Sequence, residues 1–123
     1  MSGKTILVAD DDAAVIDYLR AKLGARFRLV GTTEPTQVLA LARDQRPDLI
    51  VCDVDMPDLD GGDISGALFA DDALRDIPLL FLTALAAPED LARAAGQLGG
   101  RPAVSKKAPL AELVQRIEAL IGA

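Results

Sequence analysis

Three short, uninterrupted apolar runs most constrain the fold of this chain. They cover residues 6–9, 49–52 and 79–82, and they end at Asp10, Asp53 and Thr83. Apolar runs of this length that stop at a polar residue are typical of strands buried on both faces, as in a parallel sheet. Two weaker runs, at residues 27–30 and 103–104, predict edge strands. We therefore expect three central strands and two edge strands.

Between these strands and after the last one, the apolar residues recur at helical spacing, which predicts five helices. Asp12 is placed to cap the first helix, and Thr33 and Pro35 open the second. The fourth helix is predicted to enter at residues 88–90 and to end near Gly99 and Gly100. The predicted buried positions of the five helices, in chain order, are Val15, Leu19 and Leu23; Val38, Leu41 and Ala42; Ile64, Ala67 and Leu68; Leu91, Ala94, Ala95 and Leu98; and Leu110, Leu113, Val114, Ile117, Leu120 and Ile121.

Strict alternation of strand and helix predicts an α/β fold. The expected architecture is a doubly wound five-stranded parallel sheet of strand order 2-1-3-4-5 with helices on both faces, formed by residues 1–123 as one domain. In such sheets a ligand lies beyond the carboxyl ends of the strands, where the winding direction changes. The predicted site therefore lies between the ends of the first and third strands.

Composition excludes several classes of function. The chain has 13 Lys and Arg against 19 Asp and Glu, a net charge of −6, and only 3% aromatic residues, so direct nucleic-acid binding is not expected. It has no His and one Cys, which excludes the usual zinc sites built from Cys and His ligands. The same composition excludes catalytic pairs in which a His activates a Ser or Cys nucleophile. Strand alternation points Cys52 away from Asp53, as a packed core thiol. The apolar runs are too short for a membrane span or a signal peptide, and a cytoplasmic location is expected.

Acidic side chains crowd together at the predicted site. Asp10, Asp11 and Asp53 follow two neighbouring parallel strands, and two carboxylates about 4 Å apart repel by about 4 kcal/mol at an effective dielectric near 20. A hard divalent cation relieves this repulsion, and Mg²⁺ suits an all-oxygen donor set. A carboxylate at a strand end can also act as a nucleophile toward phosphorus. Thr83 and Lys106, which follow the fourth and fifth strands, are candidates to bind the phosphoryl oxygens.

Four segments carry a resemblance to a known family. They are residues 6–12 (ILVADDD), 47–61 (PDLIVCDVDMPDLDG), 77–84 (IPLLFLTA) and 104–106 (VSK). In their order and spacing, the chain resembles a response-regulator receiver domain over essentially its whole length. The resemblance implies that Asp53 accepts a phosphoryl group and that Asp10, Asp11 and Asp53, with the backbone carbonyl of Asp55, hold Mg²⁺. It also implies that Thr83 is the switch hydroxyl and that Lys106 pairs with the phosphate.

The function implied by the resemblance is a signalling switch of a two-component system or phosphorelay. The phosphoryl group would come from a histidine kinase or a histidine phosphotransfer protein, and an unidentified downstream protein would respond. Such a domain is no enzyme beyond its own phosphorylation and dephosphorylation. Two positions depart from the family pattern: Lys107 stands where a Pro with a cis peptide is usual, and Ala103 stands where an aromatic residue is common. The signal would then travel by a backbone shift or use another surface.

Two alternatives stay open at this point. The missing Pro and aromatic residue are compatible with a pseudo-receiver, a binding module that has the fold without phosphorylation. The pair Asp53 and Asp55, with a strand-terminal Thr and a Lys, also supplies the ingredients of a phosphatase of the haloacid-dehalogenase type. That family places its nucleophilic pair before its acidic pair, whereas here Asp10 and Asp11 come first. The phosphatase is therefore the less favoured alternative.

Overall fold

The computed structural model describes residues 3–54, 56, 61–84, 86–94, 96–98 and 100–122. Within these residues the chain forms six strands, five α-helices and one 3-10 helix. The strands are β1 (Thr5–Ala9), β2 (Arg28–Thr32), β3 (Leu49–Asp53), β4 (Leu79–Thr83), β5 (Gln97–Leu98) and β6 (Arg101–Ser105). The helices are α1 (Ala13–Leu23), α2 (Val38–Gln45), α3 (Gly61–Ala70), α4 (Pro88–Arg93) and α5 (Leu110–Ile121), with the 3-10 helix Pro35–Gln37 before α2.

The sheet has the order β2-β1-β3-β4-β6-β5. The first five of these strands are parallel, and the predicted fifth strand is β6, so the predicted doubly wound order is confirmed. The short β5 pairs antiparallel with β6 at the edge and was not predicted. Register places Ala9 beside Cys52 and Asp53 beside Leu82. The carboxyl ends of β1, β3 and β4 therefore lie next to one another.

Helices cover both faces of the sheet, as predicted. Alternate strand residues face two separate cores, because successive side chains of a strand point to opposite sides. On one face, α2, α3 and α4 bury Val38, Ala42, Ile64, Leu68 and Leu91. On the other face, α1 and α5 bury Ile16, Leu19, Leu23, Leu113 and Ile117. Cys52 lies in the first core and is fully buried, which confirms the predicted packed thiol.

The predicted stripes of α1, α2, α3 and α5 face the sheet. Each stripe has buried residues at its centre, and several predicted positions are only half-buried: Val15, Leu41, Ala67 and, in α5, Leu110, Val114, Leu120 and Ile121. In α1 the buried place beside Leu19 belongs to Ile16, which the predicted stripe omitted. None of the helices in the described part of the chain is both long enough and apolar enough to cross a bilayer.

The prediction for the fourth helix was wrong at its carboxyl end. The helix ends at Arg93, so Ala94, predicted as a buried helical position, is exposed beyond its end. Leu98 lies in β5 rather than on a helical face, and Ala95 and Gly99 lie outside the described residues. Gly96 explains the early stop, because it adopts a left-handed φ of 71° and its N–H donates to the Leu91 carbonyl at 2.6 Å. The Gly96 carbonyl then accepts from the Ala103 N–H at 2.8 Å and starts the β5–β6 hairpin.

Candidate functional site

The ends of β1 and β3 bring the predicted acids together. Because Ala9 and Cys52 are register partners, Asp10 and Asp53 are the adjacent side chains that follow them. One carboxylate oxygen from each of Asp10, Asp11 and Asp53 lies within 4.8 Å of the others. Asp10 is 1% exposed and Asp53 is 6% exposed, while Asp11 is exposed to solvent. The cluster therefore has a buried floor of two carboxylates and an open side at Asp11.

Backbone hydrogen bonds fix the acidic turn after β1. The Asp10 N–H donates to the Thr32 carbonyl at 3.1 Å, and the Asp12 N–H donates to Asp10 Oδ1 at 2.9 Å. Asp12 Oδ1 in turn accepts from the Ala14 N–H at 2.9 Å, so Asp12 caps α1 as the sequence predicts. The position of the Asp10 carboxylate is thus determined by β1, by the neighbouring strand β2 and by the first turn of α1.

Lys106 supplies the positive charge of the cluster. Its ammonium lies 2.7 Å from Asp10 Oδ2 and 3.5 Å from Asp53 Oδ2. Partial burial lowers the pKa of Lys106, but the two carboxylates raise it by more, so the pKa lies above its ordinary value. The Lys106 N–H donates to the Thr83 carbonyl at 2.7 Å, which ties the lysine turn to the end of β4.

The donor set fits a hard divalent cation. Asp10 Oδ2 is buried and pairs with the Lys106 ammonium at 2.7 Å. An ionised carboxylate has about four lone-pair sites, so the contact with Lys106 leaves Asp10 able to bind a cation as well. Three carboxylates against one ammonium leave a net negative charge. Carboxylate oxygens in excess of local positive charge are the ligands that Mg²⁺ prefers.

Thr83 lies at the adjacent strand end. It is the last residue of β4 and is fully buried. Asp53 is the register partner of Leu82, so Thr83 is the next residue along the neighbouring strand, and its own partner is Ser105 of β6. This order places the threonine beside the same edge of the sheet as the acids.

Most predicted site residues thus share one edge of the sheet. Asp10, Asp11, Asp53 and Lys106 form one cluster, and Thr83 ends the strand next to it. The remaining predicted residue, Asp55, lies outside the described residues. The peptide bond between Lys106 and Lys107 is trans, and the Lys106 ammonium still reaches both buried carboxylates.

Sequence reasoning missed the contribution of Ser105. Its side chain is buried, and Oγ accepts a hydrogen bond from the Lys107 N–H at 3.1 Å. The Ser105 carbonyl also accepts from the Ala108 N–H at 3.0 Å. A serine at a strand end is a weak signal for such a turn, because its hydroxyl can bond the backbone two residues further on. The turn fixes the direction in which Lys106 leaves β6.

Burial explains the chemistry expected of Cys52. The thiol lies in the core opposite the acids and contacts the Asp53 carbonyl, with 3.2 Å between Sγ and the oxygen. Burial first, and then the negative charges of Asp53 and Asp10, raise the pKa of Cys52 to about 12. A thiol in this environment stays protonated and inert at neutral pH.

Comparison with known proteins gives one consistent family. The family model described as "Response regulator receiver domain" matches residues 6–118. The chain is 37% identical over 118 residues to the transcriptional regulatory protein PrrA of Mycobacterium bovis, covering 94% of this chain and 49% of PrrA. It is 29% identical to the polar-differentiation response regulator DivK of Brucella anthropi, covering 97% of each chain. The chain thus spans about half the length of the mycobacterial relative and nearly all of DivK.

A solved structure agrees with this assignment. The receiver domain of the Francisella response regulator 1452 has a TM-score of 0.80 to this chain at 25% identity, covering 98% of both chains. Fold, motif order and the acidic cluster at the strand ends all agree with the match to the family model. The chain therefore belongs to the response-regulator receiver domains, the phosphoryl-accepting signalling switches of two-component systems.

Proposed function

We propose that Asp53 is the phosphoryl acceptor of this receiver domain and that residues 1–123 form a single such domain. The observation that carries the proposal is the position of the Lys106 ammonium, 2.7 Å from Asp10 and 3.5 Å from Asp53, beside the exposed Asp11. This arrangement offers a buried nucleophilic oxygen, a cation for an incoming phosphoryl oxygen and a mouth open to solvent. As the family membership implies, the donor is a histidine kinase or a histidine phosphotransfer protein, and the donor histidine lies on another chain because this one contains no His.

In the transfer, an Asp53 carboxylate oxygen forms a P–O bond while the P–N bond of the donor phosphohistidine breaks. The imidazole leaves with the electron pair and takes up a proton. Asp10, Asp11 and Asp53, with the carbonyl of Asp55, would hold Mg²⁺, which when bound neutralises charge on the transferring phosphoryl oxygens. Lys106 pairs with one of these oxygens through its ammonium, and its raised pKa keeps it charged at neutral pH.

The switch follows from the new anion at the end of β3. Thr83 ends the neighbouring strand, and its carbonyl accepts from the Lys106 N–H, so a shift of either residue moves both loops. We infer that the Thr83 hydroxyl bonds the phosphoryl group and that the β4 and β6 loops then adopt a second arrangement. That arrangement changes the affinity for a downstream protein partner. A cytoplasmic location and the absence of nucleic-acid binding stay predictions from the sequence.

Intact-protein mass spectrometry tests the acceptor directly. The protein is incubated with Mg²⁺ and a small phosphodonor such as phosphoramidate. We expect one phosphoryl adduct on the parent chain, none on Asp53→Asn, and one on Asp44→Asn, which removes an exposed carboxylate of α2. An adduct that persists in Asp53→Asn would assign the acceptor elsewhere. A chain that takes no adduct from any donor would be the pseudo-receiver, and continuous turnover of excess phosphate esters would indicate the phosphatase.

The role of Thr83 has a separate test. Thr83→Ala should still accept the phosphoryl group, because Asp53 and Lys106 remain in place. Its phosphorylated and unphosphorylated forms should bind a histidine-kinase or output partner with more similar affinities than those of the parent. Affinities measured by calorimetry for both forms provide the comparison. If the variant discriminates between the two states as well as the parent does, the hydroxyl is not the switch.

A further inference from the structure

A groove separate from the acidic cluster opens between α3 and the β5–β6 hairpin. Its volume is about 630 Å³, and Phe81 of β4 forms its floor. Phe81 belongs to the core under α2, α3 and α4, whereas the strand residues preceding Asp10 and Asp53 place those carboxylates toward the opposite face by alternation. The groove and the acidic cluster can therefore be altered independently.

One wall of the groove is an uncovered stripe of α3. Gly62, Ser65, Gly66 and Phe69 follow at helical spacing, so they lie on the same side of the helix. Phe69 is 66% exposed, and the Arg75 guanidinium lies 5.5 Å from its ring centroid. A Cβ added at Gly66 would meet nothing within 4 Å. The wall therefore combines an exposed aromatic ring with a surface that another backbone can approach closely.

The opposite wall carries an oriented arginine. Arg101 Nε donates to Ser65 Oγ at 2.9 Å, and no described carboxylate lies within ion-pair distance of its guanidinium. Other arginines, such as Arg43 and Arg26, pair with acids. The serine contact fixes the plane of the Arg101 guanidinium while its two terminal nitrogens stay available. This is the geometry in which arginine binds a carboxylate through two parallel hydrogen bonds.

We propose that this groove docks an acidic segment of a partner protein that carries an aromatic or large apolar side chain. The carboxylate of the segment binds Arg101, its apolar side chain packs between Phe69 and Phe81, and its backbone crosses α3 at Gly66. Charge complementarity selects the acidic segment, because Arg101 is a positive charge without an acidic partner in the described residues. Arg75 also lines the groove, but its guanidinium pairs with Asp72 at 2.8 Å, so Arg101 is the charge that selects the segment. The stripe from Gly62 to Phe69 is about 10 Å long, which suits a few residues of extended chain or two helical turns.

Selection from a random peptide library gives an unbiased test. Short random peptides displayed on phage are panned against the parent chain, after depletion on a variant carrying both Arg101→Gln and Phe69→Ala. We expect enrichment of sequences in which Asp or Glu lies within a few residues of Trp, Phe or Leu. Enrichment of basic sequences, or no enrichment above the depleted variant, would overturn the proposal.

Affinity measurements locate the binding site of an enriched peptide. Arg101→Gln and Phe69→Ala should each weaken binding by about tenfold or more, as expected of central interface residues. The matched controls Arg28→Gln and Tyr18→Ala remove an exposed arginine of β2 and an exposed aromatic residue of α1, and both should bind like the parent. Equal losses in the controls, or none in the groove variants, would contradict the assignment.

NMR distinguishes a peptide site from a nucleotide site. The amide signals of Gly62, Gly66 and Gly100 should shift on titration with the enriched peptide, because these residues line the groove. Titration with ATP or GTP should leave the same signals in place at equal concentration. If a nucleotide shifts them more than the peptide does, the groove binds phosphate and base rather than a protein segment. Thermal unfolding of each variant, compared with the parent, verifies that the fold is retained.

Discussion

At the carboxyl ends of β1 and β3, here called the acidic edge, the predicted site acids Asp10 and Asp53 lie at the end of strands whose residues are all buried. At the side of the sheet formed by the β5–β6 hairpin, here called the hairpin edge, β5 has two residues, one exposed and one half-buried. The acidic edge is supported by neighbours on both sides, since β1 pairs with β2 and β3, and β3 with β4. The hairpin edge is supported on one side only. We therefore expect the acidic edge to be the more stable of the two.

The hairpin edge is also stabilised by a side chain of α5 that bonds the backbone before β5. The Arg116 guanidinium of α5 donates to the Gly96 carbonyl at 3.1 Å, so a long side chain bridges α5 to the turn after α4. Beside this contact lies a cavity of about 200 Å³, lined in part by Ala103, Leu91 and Arg116. Ala103 itself is buried and lacks a side chain that could change rotamer. A signal that passes here would have to move the backbone, as the sequence predicts.

The largest contrast should appear on truncation of one leucine from a central strand and one from the hairpin edge. Leu80 of β4 is fully buried, so Leu80→Ala should lower the free energy of unfolding by about 2–5 kcal/mol. Leu98 of β5 is half-buried, and Leu98→Ala should cost about 1 kcal/mol or less. Urea unfolding followed by circular dichroism measures both values. Equal losses would mean that β5 is as integral to the core as β4.

The acidic edge was predictable because its signal is local and repeated. A buried run followed by an acid occurs at β1 and at β3, and parallel pairing alone brings Asp10 and Asp53 together. The position of Lys106 after the fifth strand made it a candidate, and the family resemblance strengthened that prediction, since a lysine after a weak strand also resembles a surface charge. Its contacts with two buried carboxylates depend on the tertiary structure.

The hairpin edge was not predictable in the same way. Leu91 and Leu98 are seven residues apart, which fits two turns of helix and therefore predicts a longer α4. The early stop depends on the left-handed conformation of Gly96 and on bonds to Leu91 and Ala103. The bond from Arg101 to Ser65 joins residues 36 apart in sequence, which no local pattern reports. Periodicity therefore identifies elements well and short hairpins poorly.

Magnesium should raise the free energy of unfolding of the domain, and this increase should depend on the acidic edge and not on the hairpin edge. At a free concentration a hundredfold above its Kd, a ligand that binds only the folded state raises the free energy of unfolding by about 2.7 kcal/mol. We expect this increase in the parent and in Arg116→Gln, whose substitution lies at the hairpin edge. Asp11→Asn should lose much of it, because Asp11 belongs to the acidic cluster. Stabilisation of Asp11→Asn equal to that of the parent would place the cation elsewhere.

Within α3, a buried and an exposed glycine should respond in opposite ways to substitution by alanine. A Cβ at Gly61 would lie 2.7 Å from Phe81 Cε1 and 3.0 Å from Val54 Cα, so Gly61→Ala should cost about 1–3 kcal/mol through overpacking. Gly66→Ala should instead stabilise the domain by about 0.5–1 kcal/mol, because its Cβ meets nothing and alanine favours helix. Denaturant midpoints compare the two variants. Opposite signs are expected, and a loss in both would show that the Gly66 face is covered.

The smallest expected effect is a dependence on alkaline pH. Because the folded pKa of Lys106 is raised, its ion pairs contribute stability that is complete below the ordinary lysine pKa of about 10.4 and is lost as pH rises through the folded value. The difference in unfolding free energy between the parent and Lys106→Met should therefore shrink above about pH 10.4. Lys107→Met is the matched control, since Lys107 is exposed and has no ion pair among the described residues. A parent-to-variant difference that stays constant from neutral to strongly alkaline pH would mean that the contacts with Asp10 and Asp53 contribute nothing to folding. The effect is modest because the Lys106 side chain is 21% exposed and water screens part of each interaction.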